Sequence, residues 1–194
     1  YTAPPTLGRF LGSDAFVRLV IGPVGSGKSS ACAVELLRRA TEQRPGPDGL
    51  RRSRFAVIRN TYAELRDTTR KTIEQWIPPT LGDWHETDNR FELACNDARA
   101  EILLRALDRP DDIRKLLSLE LTGAWINEAR EVPRGVLEML QTRVGRYPSK
   151  VDGGASWFGI WMDTNPPDTD HCMFRLFEEQ RPGEFMLYRQ PKGF

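Results

Sequence analysis

The chain has 194 residues, 39% of them apolar, which fits one globular domain of ordinary composition. Its net charge of +1 excludes a strong overall basic field of the kind that attracts nucleic acid. Three widely spaced cysteines argue against a disulfide framework or a zinc site, and no apolar run approaches the ~18 residues that cross a bilayer, so no membrane is expected among its partners.

Strand-like and helix-like patterns alternate along most of the chain. Residues 1–14 contain two prolines and two glycines and are predicted to be irregular. The predicted strands cover residues 15–21, 54–59, 90–95, 99–104, 119–126, 157–162 and 185–188. The predicted helices cover residues 29–42, 61–76, 111–118, 134–144 and 170–179. This order favours a single α/β domain over residues 1–194, with a central, mainly parallel sheet flanked by helices and a small β-hairpin insertion near Asn96.

The segment after the first predicted strand matches the phosphate-binding pattern G-x-x-x-x-G-K-[ST]. Its residues are Gly22, Pro23, Val24, Gly25, Ser26, Gly27, Lys28 and Ser29, followed by Ser30. Glycines let backbone N–H groups approach phosphate oxygens, and the helix that follows adds its positive end. Lys28 is expected to bridge the β- and γ-phosphates, and the Ser29 hydroxyl to bind Mg²⁺. The segment predicts binding of a nucleoside triphosphate.

A second polar pair, Asn127-Glu128, ends an apolar predicted strand. Ligands of open α/β sheets gather at the carboxyl ends of the strands. Glu128 is suited to accept a proton from an attacking water as a general base. Asn127 stands where an aspartate usually holds a Mg²⁺-bound water, and its amide oxygen can accept a hydrogen bond but carries no charge. The alternative for Glu128 is a carboxylate at a helix start, and the alternative for Asn127 is an ordinary strand-end or cap residue.

Asn165 and Arg59 also follow predicted strands. Asn165 is expected to bring a polar group near the γ-phosphate. Arg59 either faces phosphate or DNA, or only closes its strand. Asp163, Asp168 and Asp170 could form a metal cluster, but Pro166-Pro167 between them favours a capped turn. His85 and His171 are isolated and are assigned to no site.

Seven arginines lie between residues 38 and 59, against two acidic residues there, Glu42 and Asp48. Seven positive and two negative charges give this segment a local charge of +5. The two interpretations are a solvated helix end with its loop, and a contact with a DNA phosphate backbone through residues such as Arg51 and Arg52.

Four segments, in this order, resemble the large terminase subunits of tailed bacteriophages, which power genome packaging. They are residues 22–29, 55–67, 123–129 and 162–166, so the resemblance covers about residues 22–165. Many ATPases share the first segment, whereas the other three are much more specific.

The resemblance implies a RecA-like ATPase domain with ATP and Mg²⁺ as cofactors. Lys28 and Ser29 are then the phosphate-loop pair, Asn127-Glu128 the second nucleotide motif, and Thr164-Asn165 the coupling motif. Asn127 departs from the family pattern, which puts Mg²⁺ affinity and turnover in question. Family members usually carry a nuclease domain after the ATPase, and no such domain is expected in residues 1–194.

The resemblance also implies partners: double-stranded DNA, a portal protein and the small terminase subunit. Such ATPases act as homo-oligomeric rings in the host cytoplasm, and a single subunit in isolation can be a monomer. An arginine of a neighbouring subunit often completes the site, and Arg114, Arg143 and Arg146 are the candidates here. Two alternatives stay open: a P-loop kinase acting on a small metabolite, and a nucleotide-gated binding module with little hydrolysis.

Overall fold

The computed structural model describes residues 1–191, with the side chain of residue 110 left aside. Within this part of the chain, eight strands form one sheet: β1 (Val17–Ile21), β2 (Arg51–Arg59), β3 (Gly82–His85), β4 (Arg90–Cys95), β5 (Ala98–Ala106), β6 (Gly123–Asn127), β7 (Gly159–Thr164) and β8 (Phe185–Arg189). Their spatial order is β3-β4-β5-β2-β6-β7-β1-β8. The pairings along β5-β2-β6-β7-β1-β8 are all parallel. The β3–β4 and β4–β5 pairings are antiparallel. The predicted α/β fold with a mainly parallel sheet is confirmed.

Helices cover both faces of the sheet. They are α1 (Pro5–Leu11), α2 (Lys28–Glu42), α3 (Tyr62–Glu64), α4 (Lys71–Trp76), α5 (Pro110–Leu116), α6 (Arg134–Gln141) and α7 (Cys172–Phe174). One apolar core joins the sheet to α1, α2 and α4, and a second joins it to α5, α6 and α7. Because side chains alternate between the faces of a strand, Leu19 and Ile21 enter one core and Val20 the other. The strands β1, β6 and β7 are buried throughout.

The amino-terminal segment is helical, so the prediction of an irregular lead-in was wrong. Proline is compatible with the first turn of a helix because the amide it lacks has no intrahelical partner there. Pro5 takes this place in α1, and Gly12 ends the helix. Leu7 and Phe10, three residues apart, are fully buried. Their burial in the same core as α2 stabilises a helix that its own composition disfavours.

The predicted hairpin near Asn96 exists, but it extends the main sheet. β4 and β5 pair antiparallel around Asn96 and Asp97, and β5 pairs in parallel with β2 over nine residues. A third strand, β3, which the sequence analysis did not predict, pairs with β4.

The helix predicted over residues 61–76 begins with the expected cap, since the Thr61 hydroxyl accepts a hydrogen bond from the Glu64 amide. Between α3 and α4 the chain forms a π-helical segment, Leu65–Arg70. A second π-helical segment, Arg175–Gln180, follows α7. Segments of this kind are frequent at functional sites because they change which side chains face a neighbour.

The strand order determines which residues meet at the carboxyl edge of the sheet. β7 lies between β1, which leads into the phosphate loop, and β6, which ends at Asn127. Since these strands are parallel, the residues that follow each of them lie along one edge. Among the described residues, no helix is both long and apolar enough to cross a membrane.

Candidate nucleotide-binding site

The phosphate loop has the backbone geometry that its sequence predicts. Gly27 is the N-cap of α2 and has φ 82°, a left-handed conformation that favours glycine. A Cβ at Gly22 would lie 2.6 Å from the carbonyl oxygen of Gln190, so this position allows no side chain. The Ser26 hydroxyl is buried and has no hydrogen-bond partner in the described part of the chain. An orphaned buried donor in the loop fits a ligand that offers oxygen acceptors, as a phosphate does.

Lys28 is a buried cation with neutral partners. Its Nζ donates to the carbonyl oxygen of Pro23 at 2.9 Å and to Oδ1 of Asn165 at 3.3 Å. Burial lowers the pKa of Lys28, and the charges of Asp163 and Glu128 oppose this shift. No ion pair of Lys28 occurs within the described residues. A buried ammonium group without a contacting carboxylate fits an anionic ligand.

Asp163 lies at the centre of the site, although the sequence analysis favoured a capped turn there. Its side chain is fully buried. The Ser29 hydroxyl donates to Oδ2 at 2.5 Å, and the Trp125 indole N–H donates to Oδ1 at 2.7 Å. The Asn127 amide nitrogen lies 3.0 Å from both carboxylate oxygens. The sequence signal for this acid is an aspartate near the end of a buried strand, opposite the asparagine of the second nucleotide motif.

Asn127 is buried at the predicted edge, but its amide oxygen is already engaged. This oxygen accepts from the Thr69 hydroxyl at 2.7 Å, and Thr69 lies in the π-helical segment Leu65–Arg70. Turning the amide over would place its oxygen against the Asp163 carboxylate, where two acceptors would repel each other. Thr69 thus uses one of the two lone pairs of this oxygen, and the place of Asn127 in the Mg²⁺ site stays a prediction.

Glu128 has a strained backbone beside the phosphate loop. Its φ of 51° is left-handed, which is uncommon for a residue with a side chain and occurs preferentially at functional sites. The backbone N–H of Asn165 donates to Glu128 Oε2 at 3.3 Å. Burial raises the pKa of Glu128, and so does the Asp163 charge, whereas the Asn165 hydrogen bond, Lys28 and Arg59 lower it. A half-buried carboxylate between two cations suits proton transfer.

Arg59 reaches the same edge from β2. Its guanidinium pairs with Glu64 at 3.1 Å and with Glu131 at 3.3 Å. Its Nε and Nη1 atoms are buried and have no hydrogen-bond partner in the described part of the chain. The structure thus brings together Lys28, Ser29, Arg59, Asn127, Glu128 and Asn165, which the sequence analysis proposed, and adds Asp163, Thr69 and Trp125.

A cavity of about 310 Å³ adjoins the phosphate loop. It is lined by the amino-terminal residues before α1, by α1, the phosphate loop, the first turn of α2, the end of α4 and the residue after β8: Tyr1, Thr2, Pro4, Leu7, Gly25, Ser26, Gly27, Ser30, Trp76 and Gln190. The rings of Tyr1 and Trp76 pack edge to face, with centroids 5.0 Å apart. Val24, by contrast, is exposed at the tip of the loop.

The arginine-rich segment 38–59 is neutralised by carboxylates. Six of its seven arginines form ion pairs: Arg38 and Arg39 with Glu35, Arg51 with Asp97, Arg52 with Asp48, Arg54 with Glu101, and Arg59 as described. Within residues 1–191, Arg44 forms none. Arg51 and Arg52 begin β2, so they lie at the edge of the sheet opposite the phosphate loop.

The three arginines proposed to act on a neighbouring site are all exposed in part. Arg114 on α5 has 83% of its side chain exposed. Arg143 donates to the Leu117 carbonyl oxygen at 2.9 Å, and the backbone amide of Arg146 donates to Leu121. The structure contains one chain, and the choice among the three arginines stays open.

The remaining acids and histidines form no further site. Asp168 and Asp170 are exposed and separate from the buried Asp163. In the described part of the chain, no group of three or more His, Cys, Asp or Glu residues could hold a metal ion. The His171 ring caps α7 by accepting from the Met173 amide, and His85 lies 3.2 Å from Glu92.

Comparison with known proteins identifies the family. A sequence model of the phage terminase large subunit matches residues 14–189, which is most of the chain. The chain belongs to this family. The resemblance found in the sequence is therefore confirmed. A comparison with curated protein sequences finds no significant match.

Solved structures agree with this family fold. The large terminase from a thermophilic bacteriophage has a TM-score of 0.74 at 11% identity, over 95% of this chain and 43% of that chain. A complex of the same terminase with ADP has a TM-score of 0.73 at 12% identity, over 96% and 44% of the two chains. The large terminase ATPase domain of Thermus phage P74-26 has a TM-score of 0.63 at 18% identity, over 97% and 81%. The chain thus spans less than half the length of the first two neighbours, and at these low identities the structural similarity shows the shared fold alone.

Proposed function

We propose that this chain is the ATP-hydrolysing motor domain of a phage terminase, which drives double-stranded DNA into a procapsid. The observation that carries the proposal is the position of Glu128 beside the phosphate loop. A buried lysine, a hydroxyl and a carboxylate with a raised pKa meet at one edge of the sheet. Membership of the terminase family supports the same conclusion.

The phosphate loop is suited to hold the β- and γ-phosphates of ATP. The loop leads directly into the amino-terminal end of α2, and backbone amides of such loops, together with the helix end, are the groups that bind phosphates. Lys28 is already desolvated, so little further solvent must be removed when it binds an anion. Solved complexes of one large terminase with ADP and with ATP-γ-S support this choice of ligand.

Glu128 is proposed as the general base. It accepts a proton from a water molecule while the water oxygen forms a bond to the γ-phosphorus. The bond from the γ-phosphorus to the bridging oxygen then breaks, which leaves ADP and inorganic phosphate. Lys28 stabilises the negative charge on the phosphate oxygens. The backbone N–H of Asn165 holds the Glu128 carboxylate in place.

Mg²⁺ fits the oxygen donors of the site, namely a serine hydroxyl and a buried carboxylate. When bound, the ion neutralises charge on the β- and γ-phosphates. Ser29 would hold it, and the cavity beside Tyr1 and Trp76 would take the base and ribose of the nucleotide.

The partners proposed for the motor are double-stranded DNA, the portal protein and the small terminase subunit, within a ring of identical subunits in the host cytoplasm. An arginine of the neighbouring subunit, drawn from Arg114, Arg143 and Arg146, would complete each site. Family membership supports this part of the proposal.

Release of inorganic phosphate from ATP tests the enzymatic proposal. We expect Mg²⁺-dependent hydrolysis that Glu128→Ala lowers by about 10²- to 10⁴-fold, while nucleotide binding persists. Glu138→Ala is the matched control, because Glu138 is an exposed carboxylate paired with Arg134 on α6. Full turnover by Glu128→Ala contradicts the assignment of the base.

The same measurement separates the alternative functions. A phosphorylated metabolite in place of free phosphate would indicate a small-molecule kinase. Bound nucleotide without phosphate release, even from the assembled ring, would indicate a nucleotide-gated binding module.

A further inference from the structure

The buried carboxylate of Asp163 lies beside the side chain of Asn127, which carries no charge. We propose that Asp163 is the carboxylate of the Mg²⁺ site, acting from β7 where the family pattern expects an acid on β6. The inference rests on the proposed ATPase function, because it concerns the metal that accompanies the nucleotide.

Strand register places the two side chains next to each other. Asn127 and Asp163 are direct partners on the adjacent parallel strands β6 and β7. Neighbouring strands lie about 4.8 Å apart, so a carboxylate on either strand can serve the same region of the edge. Moving the acid from β6 to β7 also brings it next to β1, where Val20 is its partner in register.

The contact with Ser29 connects Asp163 to the metal. The Ser29 hydroxyl donates a hydrogen bond to Asp163 Oδ2 at 2.5 Å. The lone pairs of the Ser29 oxygen are therefore left for a cation. Ser29 is the phosphate-loop residue that is expected to bind Mg²⁺. Asp163 thus both orients this ligand and adds negative charge beside it.

Trp125 and Asn127 are positioning residues for Asp163. The indole N–H and the amide nitrogen donate to its two oxygens, and with Ser29 they satisfy a carboxylate that has no exposed surface. The Thr69 hydroxyl donates to the oxygen of the Asn127 side-chain amide. An aspartate at 127 would face Asp163 as a second buried anion, which is strongly disfavoured. A neutral asparagine at 127 is therefore compatible with a buried acid at 163, whereas a second acid is not.

The binding of fluorescently labelled ADP, measured with Mg²⁺ and with EDTA, tests this assignment. We expect Mg²⁺ to tighten binding to the unsubstituted chain. In Asp163→Asn, the ratio of the affinity with Mg²⁺ to the affinity in EDTA should fall by about 10- to 100-fold, the usual effect of removing a partner of a metal ligand. Its affinity in EDTA should stay within about twofold, because the phosphate loop and Lys28 remain. Unchanged binding in EDTA also shows that the variant is folded.

Two further variants complete the test. Asp168→Asn removes an exposed acid five residues along the chain and should leave the Mg²⁺ effect unchanged. The exchange variant Asn127→Asp with Asp163→Asn returns the carboxylate to β6 and should regain most of the effect. If Asp163→Asn fails to fold, the exchange variant decides the question.

The outcomes separate this inference from the proposed function. Full Mg²⁺ tightening in Asp163→Asn, or none in a folded exchange variant, overturns the role of Asp163 and leaves the ATPase proposal standing. Failure of the unsubstituted chain to bind the nucleotide in either buffer overturns both.

Discussion

The carboxyl edge of the sheet and the arginine-rich segment 38–59 handle charge in opposite ways. At the edge, Lys28 is buried with neutral partners, and burial raises the pKa of Glu128. In the segment, six of seven arginines contact carboxylates, and the Arg52 hydrogen bond lowers the pKa of Asp48 to about 2. The edge holds its charges out of water with few counter-ions. The segment pairs its arginines with carboxylates, and four of them, Arg38, Arg51, Arg52 and Arg54, are partly exposed.

This difference shows why density of charge along the sequence is a poor guide to a functional site. Exposed ion pairs change stability little, because water already solvates both partners. A buried charge without a full counter-ion costs free energy of folding and is retained where a ligand supplies that counter-ion.

Lys28→Ala should have the largest effect. It removes charge-assisted hydrogen bonds to the nucleotide phosphates, so we expect affinity to fall roughly 100-fold and hydrolysis about 10³-fold. Isothermal titration with ATP-γ-S and a phosphate-release assay measure the two quantities. Arg44→Ala, which removes an exposed cation of the arginine-rich segment, should leave both unchanged. Unchanged affinity and hydrolysis in Lys28→Ala would show that the site does not depend on the buried cation.

Glu35→Ala should strongly destabilise the fold. Glu35 is fully buried and pairs at 2.7 Å with Arg18, a fully buried arginine of β1, as well as with Arg39. Removing one partner of a buried pair leaves an uncompensated charge and costs about 3–5 kcal/mol of unfolding free energy. Urea denaturation measures this loss. Asp48→Ala, which removes the exposed partner of Arg52, should change stability little, and a loss as large as that of Glu35→Ala would argue against the contrast.

The pH dependence of hydrolysis should show the raised pKa of Glu128. A general base acts in its ionised form, so the rate falls as the pH decreases through the pKa of Glu128. Because burial raises that pKa above 4.5, the acid limb should lie above the value of an ordinary glutamate. Single-turnover rates between about pH 4 and 8 measure the limb. A limb at or below 4.5 would contradict the raised pKa of the base.

Reversing the charge of Arg51 and Arg52 should have the smallest effect. Their ion pairs with Asp97 and Asp48 already offset much of their charge. We expect a modest loss of affinity for duplex DNA and a slightly flatter dependence on salt. Binding measured over a range of salt concentrations checks this. An unchanged slope would assign these two arginines to ion pairs alone, and nucleotide affinity serves as the control.

Local patterns predicted much of the fold and part of the site. Buried runs of β-branched residues predicted most of the strands, and the glycine spacing predicted the phosphate loop around Lys28. The helix α1 was missed, because its stability comes from packing of Leu7 and Phe10 rather than from helix propensity. The strand β3 was missed because it is only four residues long and none of its residues is buried.

Spacing along the sequence was enough to predict the phosphate loop, the α/β order and the acidic residue after β6. These features depend on spacing between residues that are close along the chain. Only the tertiary structure decided that Asp163 meets Ser29, from which it is separated by 134 residues. The same contact depends on β7 lying between β1 and β6, in the register that pairs Asn127 with Asp163. Strand order and register are set by packing of the whole sheet, so no local pattern could reveal which side chains share the buried edge.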